Sequence, residues 1–464
     1  MYHLLPFTFS RIRDKEVLVN EAGDMLIAPE GTVRNIVSGT MPKNDLFKSL
    51  VSNFYIYEGN YPELLDIIAE KLREKKRFLD DFTGLHIFVI TLCCNQNCVY
   101  CQASSQDEHK EGVTMSKETL KRSIDLMFSS PSPHLTMEFQ GGEPSLMPDL
   151  LEYGMAYATS VNEVQKRDLK FVLCTNCVNL TDRVLSLCKQ YDVLISTSLD
   201  GPDYLHNKNR GKENSYQKVV AGIEKARTEL GKDRVSALMT TSQEGLKYPY
   251  EIVDEYVKMG FKSVFLRSLN PYGLAVNSVN WEEYTNKFVV FYKKAFERIL
   301  EINKSGTFFM EEFAAIILRK MLTPYSTGFV DLQSPAGIIN SVLVYNYDGN
   351  VYASDESRML AEYKDYTFRL GSVYDNYQDI VYGDKVREIA EIWCNECLAG
   401  CADCGIRAFC GADPVRNYST QKDMYGYRPH SLLCKKNKAI IEYLILLIIE
   451  RESEVLPIFK KWLL

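Results

Sequence analysis

The 464-residue sequence has no long run of charge of either sign; acidic and basic residues are interspersed and sum to a net charge of -7. It therefore offers no electrostatic footprint for nucleic acid or an anionic membrane, and a protein or small-molecule substrate is expected. The opening stretch, MYHLLPFTFSRIRDKE, lacks the apolar core and small-residue cleavage site of a secretory signal, with Arg11, Arg13 and Lys15 interrupting it early. A cytoplasmic location is expected from this. The longest apolar run, Ala439 to Ile449, is too short to cross a bilayer and contains Glu442, so it predicts a buried or docked terminal helix. There is no internal repeat and no low-complexity tract.

What is present is a foldable composition, 46% hydrophobic, with 13 cysteines. A chain of this length exceeds the usual single domain. In a reducing compartment so many thiols are poorly explained as disulfides, and metal binding becomes the default reading. The first 80 residues predict three short strands, Leu5 to Ile12, Glu16 to Asn20 and Asp24 to Ala28, followed by helices ending in the periodic segment Tyr61 to Leu79. From residue 84 apolar strand-like runs alternate with amphipathic helices. The strand candidates are Leu85 to Leu92, Leu135 to Phe139, Leu169 to Leu173, Val193 to Leu199, Val235 to Thr241 and Ser263 to Leu269. The helix candidates lie near 116–129, 148–163, 181–191, 214–230 and 247–259. Six such units predict a parallel sheet closed into a partial barrel. A long helix around Trp281 to Asn303 follows, then a hairpin punctuated by Asp348-Gly349, then a cysteine-rich module after Trp393.

In ITLCCNQNCVYCQA, directly after the first strand, Cys94, Cys98 and Cys101 form CxxxCxxC. Three thiolates on one tight loop can hold three irons of a four-iron cluster and leave the fourth open. A zinc loop is the rival, but zinc usually needs a fourth ligand and none lies nearby. The motif resembles that of the radical S-adenosylmethionine (SAM) superfamily, with Tyr100 where that family places an aromatic residue. The resemblance implies an open iron that chelates the amino and carboxylate groups of SAM, and chemistry that belongs to the cofactor.

Further motifs extend the resemblance. Gly141-Gly142-Glu143-Pro144 follows the second strand, where the family has GGEP; the glycines would let backbone approach the ligand and Glu143 would accept from the SAM amino group. Thr175-Asn176 ends the third strand, and Ser198-Leu199-Asp200-Gly201-Pro202 ends the fourth. The resemblance places SAM ribose and methionyl contacts there, at Asn176, Ser198 and Asp200, in keeping with ligand binding at the carboxyl ends of barrel strands. Cys177 stands where many relatives carry glycine. His206 and Arg210 resemble an HxxxR stretch; Arg210 could pair with the SAM carboxylate, while His206 reads equally as a structural hydrogen-bonding residue. Thr240 and Leu269 are adenine-pocket candidates or barrel packing.

Near the C-terminus Cys401, Cys404 and Cys410 form CxxCxxxxxC, and Cys434 completes a four-thiolate set. A second, fully ligated iron-sulfur cluster is the direct reading, and a structural zinc site the alternative. Here residues 84–440 resemble radical SAM proteins with a SPASM extension, which mature ribosomally made peptides and sulfatases. LLPFTFSRI, VLVNEAG, LRSLNPYG and YNYDGNVYASDESRML most resemble the His-Xaa-Ser system radical SAM maturases. SPASM proteins usually hold two auxiliary clusters. The places of the first one's ligands read Ser334-Pro335-Ala336-Gly337, Ala353-Ser354-Asp355 and Gly411-Ala412-Asp413-Pro414, without cysteine. One auxiliary cluster is therefore expected, held by Cys401, Cys404, Cys410 and Cys434. Cys394 and Cys397 form an additional CxxC that could bind metal with outside help, form a redox pair or simply pack. The resemblance also puts Asp355 where sulfatase-maturing relatives carry a catalytic aspartate, which would deprotonate a peptide radical or cation. A plain loop carboxylate is the other reading.

The expectation is an α/β protein: an N-terminal α+β, winged-helix-like leader-recognition or capping domain (1–80), a partial (β/α)6 TIM-like radical SAM barrel (84–305), a linker (306–330), a SPASM-type iron-sulfur module (331–440) and a C-terminal helix (441–464). Its implied cofactors are SAM, a [4Fe-4S] radical SAM cluster and one auxiliary [4Fe-4S] cluster. Its implied partners are a precursor peptide with a leader and an electron donor such as flavodoxin or ferredoxin, with no nucleic acid and no membrane. The implied activity is hydrogen abstraction from a peptide residue, committing it to a cyclophane or thioether type crosslink. The alternatives are action on a folded protein or small metabolite, and a non-catalytic peptide-binding partner.

Overall fold

The computed structural model describes residues 2–59 and 63–464. Its centre is an eight-stranded sheet. Five strands run parallel in the order Val235–Leu238, Leu194–Ser198, Asp168–Thr175, His134–Gly141 and Leu85–Thr91. Leu85–Thr91 is buried at every position but its first, as expected of a parallel strand covered on both faces. The connecting helices are Lys117–Phe128, Pro148–Gln165, Asp182–Gln190, Ser215–Leu230 and Pro249–Lys258, close to the sequence expectation. Their starts are chemically marked: Ser116 accepts from Thr119 N and Thr181 from Val184 N, satisfying first-turn donors.

The sixth unit differs from expectation. Only Ser263–Val264 is strand, and it pairs with Met310–Glu311 in a separate two-stranded sheet. A single bridge, Thr241 to Ser268, joins this segment to its barrel neighbour. Side chains take the backbone donors that a ladder would use: Leu266 N donates to the Glu311 carboxylate (3.0 Å) and Leu269 N to the Tyr284 hydroxyl (2.7 Å). The sheet instead grows from its other edge. Val342–Tyr345 pairs parallel to Leu85–Thr91, then turns through a hairpin into Asn350–Tyr352 and Arg369–Ser372. The hairpin expected at the start of the C-terminal module thus continues the barrel sheet.

Two further boundaries shift. The stretch read as a linker, 306–330, contains the helix Glu312–Leu322, whose apolar face is buried and whose first turn is capped by Glu311. The terminal helix begins at Leu432, not at 441, because Ser431 caps it by accepting from Cys434 N; it bends at Arg451 and ends at Trp462. Cys434 therefore lies on its first turn. No helix among the described residues is long and apolar enough to cross a membrane.

At the N-terminus the three expected strands are observed as Phe7–Ile12, Lys15–Asn20 and Met25–Pro29, paired as an antiparallel meander. Helices Thr32–Val37 and Asp45–Ser52 follow, and Ile56–Glu58 returns to pair with Tyr2–Leu4. A small core of Leu18, Ala28, Ile36, Phe47, Leu50 and Tyr55 holds this unit together. The helix expected over Tyr61 to Leu79 is observed as Glu63–Lys75 followed by a short 3-10 turn; Tyr61 and Pro62 lie outside the described residues. The unit rests on the cysteine-rich module through the Arg407–Glu21 ion pair (2.6 Å).

Candidate active site

Cys94, Cys98 and Cys101 are all partly buried on the loop that leaves Leu85–Thr91. Each sulfur faces an N–H donor: Gln96 N at 3.4 Å from Cys94 Sγ, Arg210 Nη1 at 3.7 Å from Cys98 Sγ, and Ser105 N at 3.4 Å from Cys101 Sγ. Burial pushes the Cys94 thiol up to about 12, with Cys98 and Cys101 near enough to add to the rise, and burial likewise raises Cys98. Three partly buried thiols on one loop, each with a sulfur-directed donor, fit an iron cluster. Cys93 is buried, and its thiol donates to Lys110 O (3.3 Å), which makes it a packing residue.

Behind the loop sits a buried charge network. Asp200 is 0% exposed and accepts from Tyr100 OH (2.5 Å), Asn209 Nδ2 (3.1 Å), Arg210 Nε (3.1 Å) and Arg210 Nη2 (2.8 Å). Burial alone would raise its pKa, but the Arg210 guanidinium outweighs it and holds the carboxyl below its usual range. Thr240 N also reaches Asp200 (3.3 Å). Arg210, expected to pair with the SAM carboxylate, pairs within the chain with Asp200 and lies beside Cys98. His206 is structural: Nδ1 accepts from Asp200 N (3.3 Å), Nε2 meets Ser215 Oγ (3.2 Å), and burial holds its pKa down to about 4.

Glu143 is 1% exposed and accepts from Ser145 N (3.0 Å), Thr175 Oγ1 (2.7 Å) and Asn176 N (2.7 Å), so it joins the ends of the second and third strands. Cys177 adopts the left-handed backbone (φ 57°) that glycine would supply. Gly141 and Gly142 also serve the packing of the chain itself. A Cβ on Gly141 would lie 2.0 Å from Thr91 O, and one on Gly142 would lie 2.3 Å from Cys93 O; the glycines make room for the cysteine loop. Ser198 ends its strand at the same rim, and Leu269 is buried with its N–H on Tyr284.

In the C-terminal module the four thiols of Cys401, Cys404, Cys410 and Cys434 gather. Burial pushes Cys434 up to about 11, with Cys410, Cys401 and Cys404 adding to the rise. Arg428 Nε donates to Cys401 Sγ (2.9 Å) and Asn437 Nδ2 to Cys410 Sγ (3.8 Å). Among the described residues no three Cys, His, Asp or Glu side chains converge on the point a single ion would occupy. At the places of the first auxiliary cluster, Ala336 (0% exposed), Ala353 (0%) and Ala412 (5%) pack into one hydrophobic cluster. Ala412 N donates to Gln333 O and Ile339 N to Ala353 O, so packed backbone fills that region. Asp413 caps the helix Pro414–Gln421 by accepting from Arg416 N (2.8 Å). Cys397 is exposed and Cys394 partly buried, on either side of a short turn.

Between barrel and C-terminal module lies a cavity of about 450 Å³. Asp355 lines it from the first turn of the helix Asp355–Ala361, its carboxylate accepting from Arg358 Nη2 (3.0 Å). Glu138, Gln140, Arg267, Asp331, Glu356 and Lys436 share the lining, and sequence reasoning missed them. One signal was available: Glu138 and Gln140 alternate with Leu135, Met137 and Phe139 on a parallel strand, marking a polar inner face. The cysteine loop adjoins this cavity, since Gln102 Nε2 donates to the lining residue Asn270 at its carbonyl (3.0 Å).

Residues 88–254 match the Radical SAM superfamily model, so the chain carries a radical SAM domain. The superfamily uses SAM and a [4Fe-4S] cluster, and the cysteine-rich C-terminus is compatible with an auxiliary cluster. Among particular relatives, the chain is 23% identical to a cysteine-type anaerobic sulfatase-maturating enzyme of Clostridium perfringens, over 67% of this chain and 86% of that one. The first three curated relatives are matched over 62%, 86% and 36% of their own lengths. In fold it is similar to anSMEcpe with bound AdoMet (TM-score 0.61, 20% identity, 80% of this chain and 99% of that chain). It is also similar to Streptococcus suis SuiB bound to the precursor peptide SuiA (TM-score 0.52, 14% identity, 94% and 100%).

Proposed function

We propose that this protein modifies a ribosomally synthesised precursor peptide, of the kind handled by the His-Xaa-Ser system maturases, by abstracting hydrogen from one of its residues and forming a crosslink. The observation that carries this reading is the roomy, charged cavity beside the Cys94, Cys98 and Cys101 loop, large enough for a peptide side chain and its neighbours. The likeness in fold to SuiB, solved with its precursor peptide, supports it. SAM bound at a four-iron cluster supplies a 5'-deoxyadenosyl radical.

The chain's own residues do the rest. Cys94, Cys98 and Cys101 hold the cluster, and the Arg210 guanidinium beside Cys98 offsets thiolate charge. Glu143, Asn176, Ser198 and Thr240 would contact SAM at the rim, and Tyr100 and Asp200 brace the cysteine loop. Asp355 takes a proton from the substrate as the new bond forms. Cys401, Cys404, Cys410 and Cys434 would hold the auxiliary cluster, which would supply a site for the electron left by bond formation, and a flavodoxin or ferredoxin would be the reductant. The N-terminal meander would bind the leader; its first strand, Phe7–Ile12, pairs with Lys15–Asn20 on one side, and Gly405 of the cysteine-rich module abuts Phe9 and Ser10.

The test is an anaerobic reaction of reduced, reconstituted protein with a co-encoded short peptide, read by mass spectrometry. Loss of two hydrogens from the peptide supports the reading. An unchanged peptide beside a modified sulfatase or metabolite sinks it.

A further inference from the structure

We propose that the cavity between barrel and C-terminal module receives a cationic side chain of the substrate peptide, a lysine ammonium or arginine guanidinium, held by Glu356, Asp331 and Asp413. The inference rests on the peptide-modifying reading above and adds the chemistry of the residue that enters.

Six carboxylates line the cavity: Glu138, Glu312, Asp331, Asp355, Glu356 and Asp413. Three bases face them: Arg267, Arg416 and Lys436. Asp355 is answered by Arg358 from behind, which leaves five acids to three bases. The bases are partly occupied. Arg416 Nη1 donates to Asn270 Oδ1 (2.7 Å), and Lys436 Nζ donates to Ser268 Oγ (3.3 Å) while lying over the Phe313 ring. Among the described residues Glu356, Asp331 and Asp413 take part in no ion pair within 4.0 Å. Burial, with Asp331 and Asp355 adding, pushes Glu356 up to about 7, and burial pushes Asp413 up to about 6. Arg267 near Glu356, and Arg416 and Lys436 near Asp413, offset this rise only in part.

A second observation points to a donor ligand. Asn437, 2% exposed, lines the same cavity and has its amide oxygen unpartnered, its nitrogen being turned to Cys410. Tyr272, also 2% exposed, lines it with an unpartnered hydroxyl. A buried acceptor without a donor is rare enough to require a partner, and an ammonium or guanidinium supplies several N–H groups at once.

The experiment titrates the reconstituted full-length protein with Nα-acetyl-lysine methylamide and its arginine, norleucine and glutamate counterparts. The lysine and arginine probes should bind about tenfold or more tightly than the other two, and Glu356→Gln should remove most of that preference. Asp331→Asn gives the same readout should Glu356→Gln not fold. Equal binding of all four probes, or preference for glutamate or norleucine, overturns the proposal. Tighter binding of free L-lysine than of the capped probe supports the cation site and overturns the peptide reading instead.

Discussion

The Arg210 guanidinium lies on the fully buried Asp200 carboxylate through two hydrogen bonds, 3.1 and 2.8 Å, and turns its remaining nitrogen toward the Cys98 sulfur. Substituting Arg210→Met strands a buried carboxylate, which costs about 3–5 kcal/mol. Denaturant unfolding of the cluster-free protein measures this. A loss below about 1 kcal/mol would mean that the pair is solvated and does not brace the loop.

Gly142→Ala tests the packing of the cysteine loop. The added methyl would lie within 2.4 Å of both the Leu92 and Cys93 carbonyl oxygens, so the loop must move. The variant should lose the irons held by Cys94, Cys98 and Cys101, about four per chain, and keep the auxiliary set. Iron content equal to wild type would show that the glycine serves only the ligand.

Asp355→Asn keeps the shape of the side chain and removes its basicity. Peptide product should fall by about a hundredfold or more, with iron content unchanged. Unaltered product formation would leave Asp355 as the ion-pair partner of Arg358 and nothing more.

His86 supplies the pH dependence. It is fully buried between Tyr345 OH and Thr83 O, and burial holds its pKa down to about 3. A histidine with a folded pKa below its unfolded value gives stability that is present above the unfolded pKa, about 6.5, and lost as pH falls toward the folded one. Wild type should therefore lose stability relative to His86→Gln between about pH 6.5 and pH 3, followed by unfolding at stepped pH. A constant difference over that range contradicts a neutral, buried His86.

Much of this was legible in the sequence because the signals are local. CxxxCxxC, GGEP and five strand-helix units each lie within a few residues, and the parallel strands and their caps fall where apolar periodicity places them. Three things were not legible. Glu311 and Tyr284 lie far along the chain from Leu266 and Leu269, yet they take the donors that would have made a sixth strand. The parallel pairing of Val342–Tyr345 with Leu85–Thr91 joins residues some 250 apart, which no periodicity reports. The charged cavity draws Glu138, Arg267, Asp331, Glu356 and Lys436 from five segments, so no spacing marks it.

Seven cysteines are proposed to hold two clusters, and alanines buried at positions 336, 353 and 412 stand where a third would need ligands. Iron, sulfide and zinc content of the reconstituted protein tests this most directly. The account predicts about eight irons per chain without zinc, falling to about four when Cys401 and Cys404 are replaced by alanine. About twelve irons would restore the missing cluster, and about four with one zinc would make the C-terminal set a structural zinc site; either result contradicts the account.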